Sequence, residues 1–138
     1  MRALLREEGL EDAVEVDSAG TGAWHVGSAP DDRATAVARR RGIALAGAAR
    51  KVTPEDFERF DLMLAMDREN LAALRALAPE AQARDRVRLL REFDPAAGGD
   101  LDVPDPYYGG ARGFEHVLDL VEAACRGLLD ELRPRLAA

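Results

Sequence analysis

The sequence predicts an α/β fold of three layers, with a parallel sheet flanked by helices. Three observations predict it: Val14 and Val16 flank Glu15 at period two, LMLAM at 62–66 is continuously apolar, and VRLL follows at 87–90. Between these strand-like stretches lie segments with helical periodicity, and strand–helix–strand alternation brings successive strands into parallel register.

Each element has its own signal. Ala3, Leu4 and Leu5 among Arg2, Arg6, Glu7 and Glu8 read as a helix that Gly9 ends, and nothing caps its start. The 14–16 strand runs into Asp17 and Ser18, and the glycine-rich AGTGAWHVG at 19–27 turns the chain. Pro30, Asp31 and Asp32 open a second helix whose acids suit its N-terminal dipole and whose basic end, 39–41, stops at Gly42. Thr53, Pro54, Glu55 and Asp56 supply an N-cap, an N1 proline and first-turn acids for a short helix over roughly 54–59. LMLAM reads as a strand covered on both faces. Asp67 is placed to cap the next helix, whose Leu71, Leu74 and Leu77 form one stripe before Pro79. Residues 94–113 read as loop from their Gly, Pro and Asp content. From Phe114 a long amphipathic helix runs through Val117, Leu118, Val121, Cys125, Leu128 and Leu132, with Pro134 near its end.

The 138 residues are expected to form a single domain, with no internal repeat or linker. No apolar run is long enough to cross a membrane and MRALLREEGL is no secretory signal, so a cytoplasmic protein is expected. A net charge of −7 disfavours nonspecific binding to nucleic acid or anionic membranes, and neither is expected as a partner. One cysteine, Cys125, leaves no internal disulfide and no Cys-x-x-Cys pair.

In an α/β sheet, chemistry collects at the carboxyl ends of the strands. The loops there are SAGTGAW at 18–24, the Met66–Asp67 step and the loop that ends in VPDPYYGG at 103–110. Asp105 precedes Pro106, which biases its backbone away from the helical region and fixes its carboxylate in a turn. As a general acid it would need a raised pKa, which partial burial beside Tyr107 and Tyr108 would supply; the structural alternative is a plain Asp-Pro turn with packing tyrosines. Trp24, Tyr107 and Tyr108 are three of the chain's seven aromatics and all sit in polar loops, which favours a pocket for a flat ligand. Asp94, Asp100, Asp102 and Asp105 share one loop, but their spacing is not that of an EF-hand, and no metal is expected. His25 and His116 read as solvated or packing residues, Cys125 as a buried thiol and Asp67 as an N-cap. Ser18 has no histidine close in sequence to complete a triad.

VDSAGTGAW (16–24), TPEDF (53–57), FDLMLAMDRENL (60–71) and VPDPYYGG (103–110), in this order and spacing, resemble the low-molecular-weight protein tyrosine phosphatases and their arsenate reductase relatives. The resemblance implies a hydrolase without cofactor that acts on a phosphotyrosine protein or a small aryl phosphate. It implies that Asp105 is the catalytic acid, that Trp24, Tyr107 and Tyr108 wall the substrate cleft, and that Ser18 and Asp67 support the phosphate loop.

In the resembled family the nucleophile is the cysteine of a Cys-x5-Arg loop, after the first strand and at the start of the first helix. No such loop occurs in residues 1–138, and residues 1–10 match the later turns of that helix. The resemblance therefore implies an N-terminally truncated domain without its first, interior strand and phosphate loop, roughly twenty residues. Catalytic incompetence of these residues alone is expected, along with weak folding or self-association through an exposed sheet edge. LAGAAR at 45–50 also departs from the family, which commonly has Ser and His ahead of the Ala-Arg. Two other readings stay open: a non-catalytic phosphotyrosine-binding or interaction pseudoenzyme, and an arsenate reductase relative, which the single thiol disfavours.

Overall fold

Within LMLAM the predicted strand forms over Met63–Ala65, leaving Met66 exposed, and its alternation divides the core. The computed structural model describes residues 1–21, 27, 32–43, 50–104 and 110–136. Strand β1 (Met63–Ala65) pairs in parallel with β2 (Val87–Leu89), Met63 opposite Val87 and Ala65 opposite Leu89. The connection between them is helix α4 (Arg68–Leu77) followed by α5 (Ala81–Asp85). Helices α1 (Arg2–Glu7), α2 (Asp32–Arg40) and α3 (Asp56–Arg59) come earlier; a 3₁₀ helix (Leu90–Phe93) and the long α6 (Gly110–Leu136) come after β2.

Side chains alternate across a strand, so β1 feeds two cores. Ala65, with Met63, packs among Val52, Phe57, Leu74, Ala83, Val87 and Leu89, on the side of α3, α4 and α5. Leu64 packs on the opposite side against Leu4, Leu5, Leu90, Ala124, Cys125 and Leu129, on the side of α1 and α6. Helices thus flank a parallel sheet, the arrangement that lets a parallel pair bury both faces.

The two early helices end alike. Gly9 (φ 69°) and Gly42 (φ 77°) take the left-handed conformation that glycine adopts without a Cβ penalty. Around them Leu10 N–H donates to Leu5 O at 2.8 Å and Ile43 N–H to Ala38 O at 2.9 Å, closing a Schellman motif each time. Arg41, beside Gly42, then ties α2 to α6 by pairing with Asp119 at 2.7 Å.

Several expectations are corrected. The 14–16 stretch forms no strand; Val14 and Val16 lie half-buried against the α1–α6 core, and the first ladder contact beyond them is a parallel bridge between Gly20 and Lys51. A strand exists through its hydrogen-bonded neighbour, and no described segment lies alongside 14–17 to pair with it. Helix α6 starts at Gly110, ahead of the expected Phe114, because two glycines do not stop a helix that packing supports downstream. Leu77 is 40% exposed instead of completing the α4 stripe, since α4 ends there. Helix α5 was not foreseen: one turn buries only Ala83, too short for a periodic signal.

Gly127 of α6 lies against the 3₁₀ helix so closely that a Cβ there would sit 1.7 Å from the carbonyl oxygen of Phe93. That neighbour is backbone and cannot rotate away. Gly127→Ala is expected to force α6 off the 3₁₀ helix and destabilise the chain by about 1–3 kcal/mol, read as a lower midpoint in urea or thermal unfolding.

Candidate active site

The carboxyl end of β1 gathers two of the three loops expected there. Asp67 follows directly, and its Oδ1 accepts from the Asn70 N–H at 2.7 Å, capping α4 as the sequence predicts. Beside it the loop after the 3₁₀ helix is fastened down: Val103 N–H donates to Met66 O at 2.7 Å and the Arg68 N–H to Asp102 Oδ1 at 2.9 Å. Arg68 also reaches Gly99 O through Nη2 at 3.1 Å, while Arg91 Nη1 holds Asp102 O at 2.8 Å. Met66, at the mouth of this end, is 42% exposed.

The segment that carries Ser18 is held by charge. Arg50 forms a two-pronged pair with Asp56 at 3.0 and 3.1 Å, and its Nε lies 3.3 Å from an oxygen of Asp17. Gly20 N–H donates to Arg50 O at 2.8 Å and Val52 N–H to Gly20 O at 2.9 Å, so backbone and side chain fasten the two segments together. Asp56 is only 6% exposed and also accepts from Thr53 N–H at 2.8 Å. The Arg50 guanidinium, aided by the Thr53 amide, holds the Asp56 carboxyl below the usual carboxylate range against the opposing effect of burial. Ser18 itself is exposed, with its N–H on Asp17 Oδ1 at 2.8 Å.

Of the candidate site residues, Ser18 and Asp67 fall within the described structure, whereas Trp24, Asp105, Tyr107 and Tyr108 lie outside the described residues. Cys125 is on α6, 5% exposed, in the core on the α1 side. Burial pushes its thiol up, against a smaller opposing effect of the Met1 amine. That is the reverse of what a nucleophilic thiolate requires. Among the described residues no group of three or more His, Cys, Asp or Glu side chains could hold a metal ion, and no helix is long and apolar enough to cross a membrane. Arg50, Asp56, Arg68, Arg91 and Asp102 were not singled out as site residues from the sequence. Thr53 and Asp56 have capping-box spacing, a signal for Asp56 that reading it as a dipole acid passed over.

Comparison with known proteins bears on this geometry. The family model described as low molecular weight phosphotyrosine protein phosphatase matches residues 1–137. The chain belongs to the low molecular weight protein tyrosine phosphatase family. It is 52% identical to a low molecular weight protein-tyrosine-phosphatase of Streptomyces coelicolor, over 98% of this chain and 83% of that protein. It is 48% identical to low molecular weight protein-tyrosine phosphatase A of Mycobacterium bovis, over 96% of this chain and 80% of the relative. The crystal structure of a protein tyrosine phosphatase from Entamoeba histolytica, with Hepes in its active site, superposes with a TM-score of 0.91 at 34% identity, covering 96% of this chain and 84% of that one.

Two outcomes follow from the described side chains of this phosphatase-family chain. Asp56 has a depressed pKa, so its stabilising effect is complete above the unfolded value of about 4 and is lost as pH falls through the lower folded value. Asp56→Asn should lower stability by about 1–2 kcal/mol at neutral pH and by less below about pH 4, measured by urea titration across that range. Cys125, buried and with its thiol pushed up, should resist alkylation in the folded chain and react only as it unfolds; mass-resolved labelling along a urea series tests this.

Proposed function

We propose that residues 1–138 are the acid-bearing part of a protein tyrosine phosphatase domain that hydrolyses phosphotyrosine in a protein or a small aryl phosphate. The observation that carries this reading is the fastening of residues 102 and 103 to the carboxyl end of β1 and the start of α4, in a chain matched to the family over residues 1–137. It sets the chain that leads into Asp105 beside Asp67. Ser18 and Asp67 act as supports of the phosphate loop, and Trp24, Tyr107 and Tyr108 wall the ring of the substrate.

The reaction has two displacements. A cysteine thiolate attacks phosphorus and the bond to the phenolic oxygen breaks, while Asp105 gives that oxygen its proton. Asp105, now a carboxylate, takes a proton from the water whose oxygen attacks phosphorus; the P–S bond breaks, returning the thiolate and releasing phosphate. The attacking thiolate is not among these residues, since Cys125 is followed by no arginine at Cys-x5-Arg spacing and is buried in the opposite core. Residues 1–138 alone are therefore catalytically incompetent. They require a strand and a Cys-x5-Arg loop, the strand also covering the free edge of β1 through which the chain would otherwise self-associate.

The 138-residue chain should release no phenol from an aryl phosphate. The same residues placed behind a strand and a Cys-x5-Arg loop should turn over, and Asp105→Asn should lower kcat in that longer chain by about 10²–10⁴-fold. Turnover by the unextended chain that Asp105→Ala abolishes, or full turnover by the longer Asp105→Asn chain, would defeat the reading.

A further inference from the structure

One carboxylate stands between Ser18 and the rest of the fold. Asp17 Oδ1 accepts from the Ser18 N–H at 2.8 Å, while its other oxygen, Oδ2, faces Arg50 Nε at 3.3 Å. Arg50 in turn forks onto Asp56, Nη1 donating to Oδ2 at 3.0 Å and Nη2 to Oδ1 at 3.1 Å. Asp56 is the fixed end, buried at the start of α3 and accepting from Thr53 N–H at 2.8 Å. Asp56, Arg50, Asp17 and the Ser18 amide thus form a line from a buried anchor to an exposed serine.

An exposed aspartate has several rotamers, and the bond to its own following amide favours one of them only weakly. Arg50 selects that one. Bonding through both Nη atoms fixes the guanidinium plane and with it the direction of Nε–H. That Nε is covered from solvent and closes no hydrogen bond, so the Asp17 carboxylate is the near charge that offsets it, and moving Asp17 away would strand a covered donor. Arg50 also holds the other end of the same stretch: its carbonyl accepts from Gly20 N–H at 2.8 Å. Only Ser18 and Ala19 lie between the two attachments.

We propose that Arg50 is the positioning residue for Ser18, setting its backbone through Asp17 on one side and Gly20 on the other. This rests on the reading above, in which Ser18 supports the phosphate loop. Arg50 acts through its neighbours and not on a reacting atom.

The relay is tested without turnover in the 138-residue chain. In heteronuclear NMR the Ser18 amide proton should lie downfield with a shallow temperature dependence, as a bond to a carboxylate places it. Arg50→Met should move it upfield and steepen that dependence. Asp56→Asn, which touches no atom of residue 17, should do the same by loosening Arg50. The Asn70 amide, bonded to Asp67 Oδ1 at 2.7 Å within the cap of α4, is the control and should stay in place in both variants. General loosening of the fold would move both amides. A Ser18 amide unmoved in either variant, or an Asn70 amide that moves with it, overturns the positioning role.

The phosphate-loop reading is tested separately, in the longer chain that carries a strand and a Cys-x5-Arg loop ahead of these residues. There Ser18→Ala and Arg50→Met should each lower kcat by about 2–10-fold, the worth of one hydrogen bond, and Arg50→Met should cost nothing further once Ser18 is already replaced. Losses that multiply overturn the positioning role. Full turnover in Ser18→Ala overturns the phosphate-loop reading and leaves the relay to Ser18 standing.

Discussion

Three residues of β1 have to serve two cores at once, and the remaining architecture follows from that requirement. A parallel strand in a sheet this small stays ordered only if both of its faces are covered. Ala65 and Met63 draw α3, α4 and α5 to one side; Leu64 draws α1 and α6 to the other. Because the helices arrive from opposite faces, the ends of the strands are left to the loops. Asp67, Val103 and the start of α4 all meet at the carboxyl end.

The electrostatic construction differs between the two loops. The Ser18 segment is held through a half-buried ion pair, Arg50 with Asp56, in which the carboxylate is almost fully covered and has two kinds of donor to satisfy it. Buried carboxylates of this kind fix geometry at least as much as they add stability, since desolvation offsets much of the attraction. The 94–104 loop is held instead by hydrogen bonds of backbone carbonyls, a backbone amide and the Asp102 carboxylate with Arg68, Arg91 and Met66. One loop is fastened through half-buried charge, the other through directional hydrogen bonds nearer the surface.

The parts of the fold legible in the sequence are those whose signal is local. Asp67 reads as a cap because the capping bond closes within three residues, and LMLAM reads as an interior strand because apolar cover on both faces is written into consecutive residues. What escaped depends on a distant partner. Period two at Val14 and Val16 shows which residues face inward but says nothing about which backbone pairs with them, and the described structure has no ladder there. Asp56 looks like one of several first-turn acids until Arg50 folds back on it, and Asp102 looks like one acid in a polar loop until α4 arrives from earlier in the chain. For the site, the motifs located the loops, while several of the side chains that hold those loops, Arg50, Arg91 and Asp102, lie outside the motifs.

That separation has a chemical reason. A proton donor in phosphoryl transfer must lie within hydrogen-bond reach of the departing oxygen, and a loop with free torsions would spread its carboxylate over many positions. The proposed acid and aromatic surface lie together in Asp-Pro-Tyr-Tyr. Ahead of it, Asp102 and Val103 bind the backbone of Arg68 in α4 and of Met66, just past β1, groups that exist whatever side chains those residues carry. In sequence, a proline stands on either side of Asp105, which restricts the torsions open to that link. The chain is thus fixed as far as Val103 by the end of β1, the same strand whose two-sided burial organises the core.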